Sequence, residues 1–248
     1  MMDEPRVILA CSADRHYYTA IRPYLETLSA NSRAENVLVA VNDDPPALPV
    51  NVRGVRADTT SMRYQPPLNH PQSGGFLESI PGTPGDVIIF TDGDIKFQRR
   101  FSQQEWEWIT SWQPGVVGVS FNSGPDETLY DEALRIQPKT IVLPMDIPTL
   151  RSIHCYNTGV IVALRSTWER WYAKTAELWP TVDATFNHYA RQQWAMCWAI
   201  HELKLAVSVL PYTFHLHGCY TPPPGMGMDV ADGSITYEGA PVLFRHHL

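Results

Sequence analysis

Short apolar runs, separated by polar or Pro- and Gly-rich stretches, dominate the first half of the chain. Arg6-Val7-Ile8-Leu9-Ala10-Cys11 reads as a buried first strand, and Asn36 to Val41 as a second, ended by Asn42-Asp43-Asp44-Pro45-Pro46. Between them Tyr17, Ile21, Tyr24, Leu25 and Leu28 recur with helical spacing. A short third strand is expected around Val50 to Val55. Apolar runs that are continuous rather than alternating, in the order strand, helix, strand, predict a parallel sheet covered on both faces.

Residues 58 to 74 are polar and rich in Pro and Gln, and read as a loop. A short helix near Phe76 to Ile80 precedes Pro81-Gly82-Thr83-Pro84-Gly85 and the strand Asp86-Val87-Ile88-Ile89-Phe90. Ser102 caps a helix carrying Trp106, Trp108, Ile109 and Trp112; the three tryptophans suggest carbohydrate stacking, while Trp108 and Trp112, four apart, suit a core stripe better. Val116 to Phe121 is a strand, followed by a loop at Asn122 to Asp126, and Tyr156-Asn157-Thr158-Gly159-Val160-Ile161-Val162 is another strand. A long helix from about Thr185 to Leu203 and a strand from Ala206 to Leu210 follow. Beyond the Pro- and Gly-rich stretch Pro222 to Gly239 comes Val242-Leu243-Phe244-Arg245-His246-His247-Leu248. No repeat or linker divides the 248 residues, which suit one large α/β domain.

Composition narrows the function classes. Hydrophobic residues make up 44% of the chain, yet no apolar run approaches the roughly 18 residues that span a bilayer. Met-Met-Asp-Glu-Pro-Arg runs directly into a strand pattern, so no signal peptide is expected. A soluble cytoplasmic protein is the expectation, with peripheral membrane contact left open. The formal charge of −7 disfavours broad contact with nucleic acid, and Arg99-Arg100 and Arg151 are too few for a basic patch. Cys11, Cys155, Cys197 and Cys219 have no paired metal spacing and read as free thiols.

Candidate chemistry concentrates at Thr91-Asp92-Gly93-Asp94, where the apolar strand ends. Residues i and i+2 of a strand point to the same side, so Asp92 and Asp94 can converge on one object. Like charges this close repel unless a cation lies between them or one takes up a proton. A divalent metal carrying a phosphate satisfies both, and oxygen ligands suit Mg²⁺ or Mn²⁺. The competing reading is an ordinary Asp-Gly-Asp turn. Two further polar sets, Cys11-Ser12-Ala13-Asp14 and Asn42-Asp43-Asp44, fall at strand ends, where open α/β sheets collect their ligands. Neither Gly-x-Gly-x-x-Gly nor a P-loop is present, which disfavours a Rossmann dinucleotide site and removes the P-loop class.

These residues resemble a family. A first strand ending in a small-residue turn, an Asp-x-Asp strand end, then Asn157-Thr158-Gly159-Val160 and Trp168, look like GT-A fold glycosyltransferases, closest to the retaining family 8 type. Gln192-Gln193-Trp194-Ala195 stands where the family carries Asp-Gln, and His246 follows an apolar run as the family's late metal histidine does. The resemblance implies a single GT-A-like domain with a mostly parallel sheet, residues 1–100 binding nucleotide and 101–248 facing the acceptor. It implies a nucleoside diphosphate sugar donor, a UDP-sugar foremost, and an Mn²⁺ or Mg²⁺ ion held by Asp92, Asp94 and His246. Ala10, Ser12 and Asp14 would line base and ribose, Tyr17 would stack on the base, and Arg63 would substitute for a basic residue preceding the Asp-x-Asp strand. Gln193 would sit near the anomeric carbon, and Asn157 would bond sugar or acceptor hydroxyls. The acceptor would be a lipid-linked glycan, another glycan, a protein or a small molecule; nucleic acid is disfavoured.

The chain departs from the family in two places. Gln192 replaces the acid of Asp-Gln, and the late His-x-x-Gly-x-x-Lys-Pro signature is missing, so His215 and His217 compete with His246. Plainer readings stand beside these roles. Asp14 also suits a helix cap, Tyr17 a packing position, Gln193 a solvated helix surface, and Asn157-Thr158-Gly159 a strand-entry turn. A nucleotidyltransferase and a non-catalytic nucleotide- or sugar-binding protein are the alternative functions.

Overall fold

The computed structural model describes residues 5–58, 75–93, 95–136, 143–186, 190–217, 228–231 and 234–246. Its first half contains β1 (Val7–Ala13), α1 (Tyr18–Asn31), β2 (Glu35–Val41), β3 (Val52–Ala57), β4 (Val87–Thr91), β5 (Ile95–Phe97) and α2 (Gln103–Thr110). There follow β6 (Val116–Phe121), α3 (Leu129–Ile136), α4 (Ile147–Ser152), β7 (Tyr156–Leu164), α5 (Arg165–Thr185), α6 (Arg191–Leu203) and β8 (Ala206–Val209). Short strands complete the chain: β9 (His215–His217), β10 (Met228–Ala231), β11 (Ser234–Tyr237), β12 (Ala240–Pro241) and β13 (Phe244–His246).

Seven strands form the main sheet in the order β3-β2-β1-β4-β7-β6-β8. β7 alone runs antiparallel to its neighbours, β4 and β6. The remaining pairings are parallel, as the continuous apolar runs predict. Alternate residues of one strand serve opposite cores. Ile8 and Ala10 join Ile88, Phe90, Trp168 and Trp194 on the α5–α6 face. Leu9 and Cys11 join Ile89, Leu25 and Phe244 on the α1–α2 face. The sheet is therefore buried on both sides.

Reversal of β7 positions the site. It carries the start of that strand to the ends of its neighbours, so Val160 lies opposite Thr91 and Asn157 opposite Ser120. A second sheet, β5-β13-β9, does the same for His246, which pairs with Ile95 on one side and His217 on the other.

Two local expectations are corrected. The segment near Phe76 to Ile80 forms a 3-10 turn over Gly75–Ser79. The helix expected from about Thr185 begins at Arg191, because Thr185 ends α5. α5 itself is legible only in retrospect: Trp168, Trp171, Tyr172, Thr175, Trp179 and Val182 are buried at helical spacing, but aromatic and β-branched residues supply the pattern and Pro180 interrupts it. The loop at 58 to 74 falls, but for Asp58, outside the described residues. Among the described residues, no helix is long and apolar enough to cross a membrane, and Cys11, Cys155 and Cys197 are free thiols.

Candidate active site

Asp92 leaves the end of β4 with its backbone held in place: its N–H donates to Gly159 O at 2.8 Å, while its carbonyl accepts from Ile95 N at 3.4 Å. Gly93 lets the chain pass close to β1, since a Cβ there would lie 3.3 Å from Ser12 O. Asp94 lies outside the described residues, as does Arg63.

His246, almost completely buried, projects its Nε2 to 3.8 Å from Asp92 Oδ2. Its ring rests directly on Gly159, where any Cβ would collide with the imidazole. Asn157 is also buried, and its Oδ1 accepts the Gly159 N–H at 2.9 Å, which fixes the strand entry on which the ring lies. The turn reading of Asn157-Thr158-Gly159 and the site reading thus describe one arrangement.

His215 lies behind His246, with ring centroids 5.8 Å apart and planes tilted by 24°. It is fully buried, and its Nδ1 shares a 2.7 Å hydrogen bond with Ser120 Oγ. Between these two histidines, His246 is the one turned to Asp92. His217 lies in β9. Ser120 and His215 as a pair escape sequence reasoning because 95 residues separate them.

Within β1 the Ala10 side chain is fully buried in the core, which leaves only its backbone to line a ligand. Ser12 and Asp14 lie further along, toward the edge. Asp14 does not cap α1: its Oδ1 accepts the His16 N–H at 2.8 Å, and the cap position, Tyr17, has no side-chain cap. Tyr17 is 64% exposed and free to stack. Tyr18 donates to Asp44 O at 3.3 Å. Its phenol titrates above the usual value through burial first, then through Asp43, Asp14 and Asp44. This edge is acidic, and it repels a bare diphosphate.

On the far side α6 packs against the start of β7. Cys197 Sγ meets the backbone of Tyr156, its N–H at 3.2 Å, and Gln193 Nε2 donates to Cys155 Sγ at 3.8 Å. Burial pushes the Tyr156 phenol up to about 12, with Cys197 adding to it. Gln193 is half-buried rather than solvated. Gln192, at the position of the family's acid, is buried with Nε2 lacking a hydrogen-bond partner among the described residues. Asn122, at the end of β6, is likewise buried with Nδ2 unpartnered, a residue that sequence reading left inside a loop. Such orphaned donors are rare in folded proteins and mark places where a ligand, ion or water completes the bonding.

No protein-family model and no curated protein matches the sequence. Comparison with solved structures does find a match, to the galactosyltransferase LgtC in complex with donor and acceptor sugar analogs. The fold resembles that of a glycosyltransferase. The TM-score is 0.57 over 97% of this chain and 86% of that one, at 12% sequence identity. The likeness establishes a shared GT-A-type architecture, the fold that the resemblance implies. Asp92, Asn157, Gly159 and His246 meet at the carboxyl edge of its sheet, where such folds collect ligands.

Among the described residues no three His, Cys, Asp or Glu side chains form a metal-binding group; Asp92 and His246 supply two, and Asp94 is not described. Two ligands each about 2.1 Å from a common ion stand roughly 3 to 4.2 Å apart. The Asp92–His246 separation of 3.8 Å falls inside that interval. Carboxylate and imidazole together fit a divalent ion such as Mn²⁺, and the acidic edge favours one.

Proposed function

We propose that the chain is a metal-dependent glycosyltransferase, moving a sugar from a nucleoside diphosphate donor, a UDP-sugar foremost, to a glycan, lipid-linked or small-molecule acceptor. One observation carries the reading: His246 Nε2 is aimed at Asp92 at 3.8 Å across the bare backbone of Gly159, at the ligand edge of a GT-A-type sheet. Asp92, Asp94 and His246 would hold Mn²⁺ or Mg²⁺. When bound, the ion supplies positive charge against the diphosphate as the sugar–phosphate bond breaks.

This chain's residues do the rest by placement. Ser12 and Asp14 receive the ribose, and the exposed Tyr17 ring stacks on the base. Gly159, with no side chain, lets the His246 imidazole close onto β7 with Nε2 toward Asp92. Asn157 holds that backbone and stands at the sugar side. Gln192 and Gln193 bring neutral amides where the family has an acid and an amide, so they bond sugar hydroxyls without contributing charge. A retaining outcome is the reading that the resemblance favours.

The test is thermal stabilisation by Mn²⁺ with uridine or guanosine diphosphate, followed by a panel of nucleotide sugars. At a ligand concentration 100 times Kd, stabilisation is about 2.7 kcal/mol, or roughly 5–10 °C in Tm for a domain of this size. The shift disappears in Asp92→Asn and in Asp94→Ala. No shift with any diphosphate overturns the proposal, and release of pyrophosphate identifies a nucleotidyltransferase. Stabilisation without sugar transfer or hydrolysis identifies a binding protein, the reading that Gln192 motivates.

A further inference from the structure

A cavity of about 520 Å³ lies beside the small sheet, between α2, the turn at Pro211–Phe214 and β12. It is built around a charge pair in which every guanidinium donor is used. Arg99 donates Nε–H to Pro241 O at 2.8 Å, its Nη1 hydrogens to Arg100 O and Glu105 Oε2, and its Nη2 hydrogens to Glu105 Oε1 and Thr213 O. A guanidinium has five N–H donors, and all five are used. Glu105 in turn accepts the Ser102 N–H at 2.8 Å. No donor of Arg99 is left for a phosphate or carboxylate.

The neutral groups of the wall are in the opposite state. Among the described residues, the Gln104 amide, the Thr213 hydroxyl and the Trp108 indole N–H have no hydrogen-bond partner. Trp108 is half-buried and stands nearly perpendicular to Phe214, at 86° with centroids 5.5 Å apart. A second perpendicular neighbour, Trp112, braces it at 5.0 Å. The wall is therefore aromatic, its charges are paired with each other, and its neutral groups are open to a ligand or to water.

We infer that this cavity is a binding subsite for a neutral saccharide. A sugar ring presents an apolar C–H face for an aromatic wall and a rim of hydroxyls that both donate and accept, which matches this combination. The volume suits a small ligand, since such sites run roughly 300–1,000 Å³. Placement gives the subsite a use. Pro241 lines the cavity and lies five positions before His246, which at about 3.3–3.6 Å per extended residue puts their Cα atoms no more than about 18 Å apart. An acceptor glycan whose distal residue sits on Trp108 would have to cover a span of that order to reach Asp92. That acceptor role rests on the glycosyltransferase reading; saccharide binding at Trp108 does not.

The experiment follows the Trp108 indole resonance of the full chain by NMR during titration with neutral gluco-, galacto- and N-acetylglucosamine oligomers, and with sulfated oligosaccharide and inorganic phosphate. A neutral oligomer shifts that resonance at millimolar concentration, and the anions do not. Gln104→Ala, at an exposed position that removes no core packing, weakens binding about fivefold, the worth of one hydrogen bond. Trp108→Phe, followed through Gln104 instead, weakens it further. Asp92→Asn binds the oligomer as the parent does while losing the manganese–diphosphate shift. Absence of a response to every neutral oligomer, binding confined to anions, or unchanged binding in both cavity variants overturns the subsite. Oligomer binding without any diphosphate binding leaves the subsite standing and removes the transferase reading.

Discussion

Two polar clusters lie toward opposite ends of the β5-β13-β9 sheet and follow opposite rules. Around Arg99 every charged donor is matched, and the cluster ties together α2, the Pro211–Thr213 turn and the strand leading to His246. Asp92 faces His246, while the buried amides of Asn122, after β6, and Gln192, in α6, lack partners among the described residues, and Asp14, Asp43 and Asp44 crowd Tyr18. An unsatisfied buried polar group costs about 1–3 kcal/mol. A ligand or water that completes their bonding offsets that cost. The matched cluster is a brace, and the unmatched one is where chemistry is expected.

Substitutions should separate the two regions. Asp92→Asn is expected to have the largest effect, lowering metal-dependent transfer by about 10³-fold, roughly 4 kcal/mol in kcat/KM. Its Tm should stay close to that of the parent; a large fall in Tm would make Asp92 part of the brace instead. Gly159→Ala comes next, because the new methyl displaces the His246 ring. Misplacing a ligand in this way costs about 10–100-fold, read as weaker Mn²⁺ affinity with the far-UV spectrum unchanged.

Arg99→Met addresses the other cluster. It should cost about 2–3 kcal/mol of unfolding free energy by removing a partly buried, bidentate, charge-assisted pair. Acid titration sharpens the point. Burial tends to raise the Glu105 carboxyl, but hydrogen bonds from Arg99 and Ser102 outweigh it and hold the group below its ordinary 4.5. A carboxylate depressed in the folded state contributes stability above its unfolded pKa and loses it as pH falls through the folded value. The parent should therefore lose stability below about pH 4.5, and Arg99→Met should lose less over the same range. Equal slopes would contradict the brace. The smallest effect belongs to Ser120→Ala, which strips Nδ1 of the buried His215 of a 2.7 Å bond. About 1 kcal/mol of stability and a few-fold loss of activity are expected, measured by urea denaturation and by transfer rate.

The sequence revealed these regions unequally. Apolar runs at Val7 to Cys11, Asn36 to Val41 and Val87 to Phe90 placed the central strands within a residue or two, because a doubly covered sheet demands continuous apolarity. The capping box at Ser102 and Glu105 was equally plain in its first half, Ser102 being the expected cap. α5 was missed because its buried face is written in Trp and Thr and crosses Pro180. α3 and α4, two short helices, were missed with it. At the site, local order made Asp92, Asn157 and Gly159 visible. The nearness of His246 to Asp92, and of His215 to Ser120, depends on pairing between distant strands, which no local pattern encodes. Along β1 the Ala10 side chain is in the core, while Ser12 and Asp14 lie toward the edge.

A crystal of the chain grown with Mn²⁺ and uridine diphosphate, recorded at the manganese absorption edge, tests the account most directly. An anomalous peak about 2.1 Å from both an Asp92 carboxylate oxygen and His246 Nε2, with the diphosphate on its open side, is the predicted result. Diphosphate bound with no metal at Asp92, or manganese held elsewhere in the molecule, would contradict it.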